Sequence, residues 1–103
     1  MTYKIKPLAK AYGSFKTGTL VDLSKVEIEF MLGFKPNTKD DPTKVDMCWT
    51  FEVEGRPHSV WSYKNSFLHG RWSVHGSDQL FELVFGDHYI PGHRVFDKTT
   101  LAP

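Results

Sequence analysis

Five histidines are the first residues to consider for chemistry, because imidazole binds metal ions and transfers protons near neutral pH. They are His58, His69, His75, His88 and His93. Their spacing gives neither an H-x-H pair nor an H-E-x-x-H motif, and one cysteine cannot build a thiolate site. We therefore interpret them as surface or hydrogen-bonding histidines and predict no metal and no cofactor. A small metal- or histidine-dependent hydrolase or nuclease that uses His75, His69 and Asp46 stays open as the alternative, if the fold brings these side chains together.

The single cysteine is the other candidate for catalysis. Cys48 lies in the middle of an alternating segment, and the carboxylate of Asp46 two positions earlier would raise the pKa of the thiol rather than activate it. A buried structural cysteine is the better interpretation. The sequence contains no G-x-S-x-G elbow and no glycine-rich phosphate loop. We therefore predict a protein that is not an enzyme and has no catalytic residues.

The segment from Ser59 to His75 interleaves aromatic and basic side chains. Aromatic rings stack on nucleotide bases and neighbouring cations pair with phosphates, while the same composition makes strong protein-binding surfaces. The candidate ligand- or partner-binding residues are Trp61, Tyr63, Lys64, Arg71, Trp72 and His75. The alternative is that Trp72 and either Trp61 or Tyr63 belong to the core, with the aliphatic stems of Lys64 and Arg71 lying along it.

Length and composition limit the remaining classes. A chain of 103 residues builds one core, so we expect a single domain over residues 1–103, with an ordered core at 11–90 and a tail at 91–103. A net charge of +1 gives no general attraction to DNA, RNA or a membrane. The lone cysteine and a first segment without an apolar stretch indicate a cytoplasmic protein.

Local patterns predict an α+β fold. A first strand is expected at 11–18, and a helix begins at a Ser24/Glu27 capping box and ends at Gly33. Its predicted apolar positions are Leu23, Val26, Phe30 and Phe34, although residues 26–30 also alternate like a strand.

The middle of the chain predicts an antiparallel hairpin. Apolar residues at every odd position of 45–53 indicate a half-buried strand, followed by a Glu54-Gly55 turn and a second strand at 56–64. A two-residue turn pairs Trp49 with Val60 and Cys48 with Trp61, which places Trp61 and Tyr63 on the face opposite Trp49.

The last part of the chain predicts a third alternating strand at 71–75, after the two strands of the hairpin, and a second helix that starts after Ser77 and ends at Gly86. Residues 89–90 could add a short strand. The order β-α-β-β-β-α is satisfied by a curled antiparallel sheet of about four strands with two short helices on one face.

Several short stretches of the sequence resemble a loose set of small bacteriophage-encoded accessory proteins of uncertain function. These stretches are G-S-F, L-G-F-K-P-N, K-V-D-M-C-W-T-F-E, S-V-W-S-Y-K-N-S, R-W-S-V-H-G and L-F-E-L-V-F-G-D, and they span residues 12–90. Where that pattern has an acidic residue between two aromatics, this chain has Ser62, so a ligand bound by that acid would be bound differently here.

The resemblance implies a phage protein of the host bacterial cytoplasm that counters host defence. Such proteins act by sequestering a nucleotide-derived signal or by occluding a host defence protein, and we expect a homo-oligomer. The function expected from the resemblance is therefore a non-catalytic binding module that inhibits a host defence factor. A phage structural or assembly protein is a further alternative.

Overall fold

The computed structural model describes residues 4–8, 16–38, 45–63 and 66–92, and the expected tail at 91–103 lies almost entirely outside these ranges. The described chain forms an α+β fold with one six-stranded antiparallel sheet, in the order β1-β3-β4-β5-β2-β6. The strands are β1 (Lys6–Pro7), β2 (Gly18–Leu20), β3 (Val45–Val53), β4 (Arg56–Tyr63), β5 (Trp72–His75) and β6 (Tyr89–Pro91). The two strands beyond the predicted four are β1 and β6, which form the two edges.

The β3–β4 hairpin is confirmed with its predicted register. Trp49 pairs with Val60 and Cys48 pairs with Trp61. The turn residues Glu54 and Gly55 have φ values of 53° and 77°, the left-handed pair that matches the twist of a two-residue hairpin. Because this turn fixes the pairing, it also fixes which side chains of both strands face the helices.

The strand predicted at 11–18 falls largely outside the described residues, which resume at Lys16. The strand of the structure, β2, begins at Gly18. It pairs with β5 on one side and with β6 on the other, so the expected short strand at 89–90 is confirmed. Gly18 is required here because a Cβ would lie 2.6 Å from Cε1 of Tyr89.

Both helices begin and end where the capping residues predict. Helix α1 (Lys25–Leu32) starts with the Ser24/Glu27 capping box and ends at Gly33, which is left-handed with φ 91°. Helix α2 (Asp78–Phe85) starts at Ser77, whose hydroxyl accepts the Leu80 N–H, and is followed by Gly86. Short 3₁₀ helices occupy Ser66–His69 and Gly86–His88.

The core lies between one face of the sheet and the two helices. Ile28 of α1 and Phe81 of α2 join the same cluster as Trp49 and Phe51 of β3, so both helices cover the same face. The predicted apolar stripe of α1 is wrong in part, because Val26 and Phe30 are 70% and 87% exposed. Ile28 and Leu32 are buried in their place.

The free edge of β3 is held by segments from elsewhere in the chain. β1 pairs with its end, and Thr38 forms a bridge to Cys48. Between these contacts, the side-chain amide of Asn37 donates to the carbonyl oxygens of Leu8 at 2.7 Å and Thr50 at 3.0 Å, and its oxygen accepts the Thr50 N–H at 2.9 Å. These bonds satisfy backbone groups that a sheet edge would otherwise leave unpaired.

Neither helix approaches the length and apolar character that a membrane crossing demands, as far as the described part of the chain extends.

Candidate ligand-binding pocket

The second face of the sheet, away from the helices, carries the candidate pocket. Side chains alternate along a strand, so Thr19, Ser73 and Ile90 lie on this face while their neighbours Leu20, Trp72 and Tyr89 pack in the core. This alternation places three neighbouring strands side by side as the floor of a concave surface.

A cavity of about 350 Å³ opens on this floor. We call it the basic pocket, and it is lined by Lys16, Thr19, Val21, Tyr63, Arg71, Trp72, Ser73 and Ile90. Its size falls within the usual range for small-molecule sites. Apolar floor residues combined with a few polar groups at the rim are also typical of such sites.

The charge of the basic pocket has one sign. Lys16 and Arg71 both line it, and no carboxylate occurs among the lining residues that the structure describes. The pKa of Lys16 is lowered from its ordinary value of 10.5, first by partial burial and second by the nearby charge of Arg71. The two cations therefore repel each other across a shared space, and an anion placed between them would relieve that repulsion.

An aromatic ring stands at the same rim. Tyr63 is 44% exposed, and its ring meets that of Trp61 edge-on, with centroids 6.1 Å apart and an interplanar angle of 84°. Trp61 itself is buried on this face of the sheet. The indole thus holds an exposed phenol beside two cations, an arrangement that suits a planar ligand carrying negative charge.

The six predicted site residues are not all brought together. Tyr63 and Arg71 line the basic pocket, and Trp61 supports Tyr63 from beneath. His75 lies farther along β5, in a different cleft beside Arg56. Lys64 lies outside the described residues.

Trp72 reaches the basic pocket only as part of its floor, because its indole belongs to the core. It is 1% exposed, packs edge-on against Trp49 at 5.3 Å between centroids, and donates from Nε1 to the Leu23 carbonyl at 2.9 Å. The interpretation of Trp72 as a core residue, left open by the sequence, is the one that the structure supports.

Sequence reasoning missed Lys16 and the neighbouring residues of β2. Lys16 precedes Gly18, the residue at which β2 starts, and this strand lies next to β5 although they are more than fifty residues apart in sequence. Only the sheet order brings Lys16 to Arg71. The one available signal was the early cluster of lysines before any acidic residue.

Two of the three groups proposed for hydrolysis, His69 and His75, lie in different elements. His75 lies in β5, His69 lies exposed in the 3₁₀ helix, and the side chain of Asp46 is outside the described part of the structure. Cys48 is buried, with 3% exposure, as predicted. Within the described ranges, no group of three His, Cys, Asp or Glu residues is positioned to hold a metal ion.

Comparisons of the chain with protein-family models, with curated proteins and with solved structures found no match. The resemblance to small phage proteins therefore stays a prediction, and the functional argument depends on the pocket.

Proposed function

We propose that this protein is a non-catalytic binding module that takes a nucleotide-type ligand, an aromatic ring carrying phosphate, in the basic pocket. The observation that carries the proposal is that Lys16 and Arg71 line one space next to the exposed ring of Tyr63, and that no carboxylate of the described residues lines it.

The chemistry of the pocket matches the two halves of such a ligand. Arginine binds a phosphate with two parallel N–H donors, and lysine adds a second charge without fixed geometry. The phenol of Tyr63 offers a face for stacking, and Thr19 and Ser73 add hydroxyl groups to the lining of the pocket. Stacking tolerates every base, so specificity for one base would come from the hydroxyls.

The repulsion between Lys16 and Arg71 supports binding rather than structure. A pair of like charges in one pocket lowers the stability of the empty protein, and a phosphate would return the Lys16 pKa toward its ordinary value. Function obtained at the expense of stability is common at ligand sites.

The test is calorimetric titration with the four ribonucleoside 5′-monophosphates and with the matching nucleosides. We expect the nucleotides to bind and the nucleosides, which lack phosphate, to bind at least about tenfold more weakly. Arg71→Gln and Lys16→Gln should each weaken nucleotide binding by about tenfold or more. Lys25→Gln, in helix α1 and outside the lining of the basic pocket, should leave it unchanged. Equal affinity for nucleoside and nucleotide, or no binding of either, would refute the proposal.

A stability readout separates this role from a structural one. Because Arg71 is exposed and repels Lys16, Arg71→Gln should leave the midpoint of denaturant unfolding unchanged or raise it slightly. A loss of stability together with the loss of binding would instead make Arg71 part of the fold.

Sequestration of a host defence signal is the biological role that follows if the resemblance to phage accessory proteins holds. Binding without turnover is then the expected chemistry, and the nucleotide should be recovered intact after the protein is denatured. Occlusion of a host defence protein by the same surface is the competing role. It would be favoured if no nucleotide binds and if a host protein is retained by the wild type but not by Arg71→Gln.

A further inference from the structure

A second cleft lies at the start of α2, away from the basic pocket. It has a volume of about 360 Å³ and adjoins another cavity of about 310 Å³ at the same corner of the molecule. Arg56, His58 and Ser77 line both cavities. We call this corner the α2 cleft.

His58 is the unusual residue of the α2 cleft. It is only 2% exposed, and its Nδ1 lies 2.9 Å from the carbonyl oxygen of Arg56. Because a carbonyl only accepts, Nδ1 must carry the proton, and the neutral ring therefore leaves Nε2 as a bare acceptor. Nε2 is buried and has no hydrogen-bond partner. A buried polar atom without a partner is costly and calls for an explanation.

The ring of His58 lies against the residue that leads into α2. A Cβ placed on Gly76 would lie 2.1 Å from Cδ2 of His58, the nearest ring atom, and 2.9 Å from Nε2. Gly76 directly precedes Ser77, the N-cap of α2, where the first N–H groups of the helix have no partner within the helix and the dipole is positive. The unpartnered nitrogen therefore lies close to the residue that precedes the N-cap of α2, and Arg56, Gly76 and Ser77 line the same cavity as His58.

Several charged or titratable groups surround His58, and they belong to different elements that pack near it. Arg56 and His75 lie in the walls from β4 and β5, and both lower the His58 pKa through their charge. Glu54 lines only the adjoining cavity, and the Asp78 carboxylate accepts the Tyr89 hydroxyl. Phe51 and Phe81, which contact the ring, are apolar. Among the described residues, basic groups and no carboxylate line the cavity of about 360 Å³, whereas Glu54 lines the adjoining cavity of the α2 cleft.

We propose that the α2 cleft binds a tetrahedral oxyanion, of the size of sulfate or phosphate, together with one proton taken from solvent at Nε2 of His58. The proton converts Nε2 from an acceptor into a donor, and the oxyanion accepts that hydrogen bond and is held by Arg56 and the N-terminus of α2. No covalent bond forms. Nε2 is buried close to Gly76 in the unbound protein, so binding would include a small outward shift of the segment around Gly76.

Proton uptake gives the site a defined pH dependence. Burial holds the pKa of His58 below its ordinary value of 6.5, so the ring is neutral near pH 7 and must gain its proton on binding. Affinity should therefore rise as the pH falls. By linkage, the bound anion should raise the pKa of His58. The shift should be about one unit for every tenfold by which the protonated protein binds the anion more tightly than the neutral protein does.

The probe is sodium sulfate, whose charge does not change across this pH range. Sulfate is titrated into protein with ¹⁵N-labelled histidine at about pH 5.5 and about pH 7.5, with NMR observation of each imidazole. The Arg71→Gln background keeps the basic pocket from contributing. We expect about tenfold tighter binding at the lower pH, and a His58 titration that moves upward in sulfate.

Two variants complete the test. Arg56→Gln, an exposed position, should weaken sulfate binding in the cleft by about tenfold without unfolding the protein. His58→Asn removes the titrating group and should remove the pH dependence of sulfate binding. If His58→Asn does not fold, Arg56→Gln still tests the proposal. The proposal is wrong if sulfate affinity is the same at both pH values, if the His58 titration is unmoved by sulfate, or if no binding occurs at about 100 mM sulfate.

Discussion

His58 lies between the rings of two phenylalanines of the core. It stacks on Phe51, with centroids 5.6 Å apart at 18°, and is tilted against Phe81 at 5.9 Å. Burial in this surrounding lowers the pKa of His58. The sequence presents His58 only as one of five histidines, because nothing local indicates which histidine the sheet and α2 will enclose.

The pH dependence of stability should contain a contribution from His58. Its folded-state pKa is below the ordinary value of 6.5, so the unfolded chain binds the proton more tightly. The contribution is therefore complete above about pH 6.5 and is lost as the pH falls from there toward the folded-state pKa. The free energy of unfolding is measured with denaturant at a series of pH values. Between about pH 6.5 and pH 5, it should fall less steeply for His58→Phe than for the wild type.

The matched control is His69→Gln, which changes an exposed histidine of the 3₁₀ helix. It should keep the slope of the wild type. If His58→Phe retained the full slope, the acid sensitivity would come from other groups.

The sequence predicts both ends of helix α1 correctly but predicts part of its buried face wrongly. The Ser24/Glu27 capping box and Gly33 specify both ends from local residues alone. Which stripe is buried depends on where the helix lies on the sheet, and the pattern of α1 permits two answers. The structure buries Ile28 and Leu32 and leaves Phe30 exposed.

A pair of alanine substitutions tests this orientation. Phe30→Ala should change the free energy of unfolding by no more than about 0.5 kcal/mol, because the side chain is 87% exposed and alanine favours the helix. Ile28→Ala should cost about 2–4 kcal/mol, because Ile28 is fully buried. Chemical denaturation of both variants measures the two values. A large loss for Phe30→Ala with a small loss for Ile28→Ala would reverse the orientation.

Across the whole molecule, Trp72 connects the sheet to the segment that leads into α1. Its indole packs on Trp49, and its Nε1 donates to the carbonyl of Leu23, which precedes the helix. The tryptophan therefore joins distant parts of the chain. We expect it to stabilise the folded state rather than to bind a ligand in the basic pocket.

Trp72→Phe should lower the free energy of unfolding by about 2–4 kcal/mol, since it leaves the Leu23 carbonyl unpaired and opens space beside Trp49. Nucleotide affinity of the folded variant should stay within about twofold of the wild type, because the indole faces the core. Tyr63→Phe, at an exposed ring, is the control and should cost no more than about 0.5 kcal/mol. A variant that keeps its stability but loses nucleotide affinity would return Trp72 to the binding surface.

The sequence by itself determined the parts of this protein that depend on neighbouring residues. The β3–β4 hairpin follows from strict alternation and a Glu54-Gly55 turn, and both helices follow from their caps. These signals are local, because turns and caps are decided within about four residues. Tyr63 and Arg71, which line the basic pocket, were also predicted from the composition of their segment, whereas Lys16 was not.

Only the tertiary structure decided what depends on distant pairing. The placement of β2 between β5 and β6 brings Lys16 to Arg71, and the same sheet order sends the indole of Trp72 into the core. A shift of one residue in the pairing of two strands moves every side chain to the other face of the sheet. The contacts that select the correct pairing come from strands far apart in the sequence. The charge of the basic pocket and the enclosure of His58 are therefore properties of the assembled sheet, and no local pattern contains them.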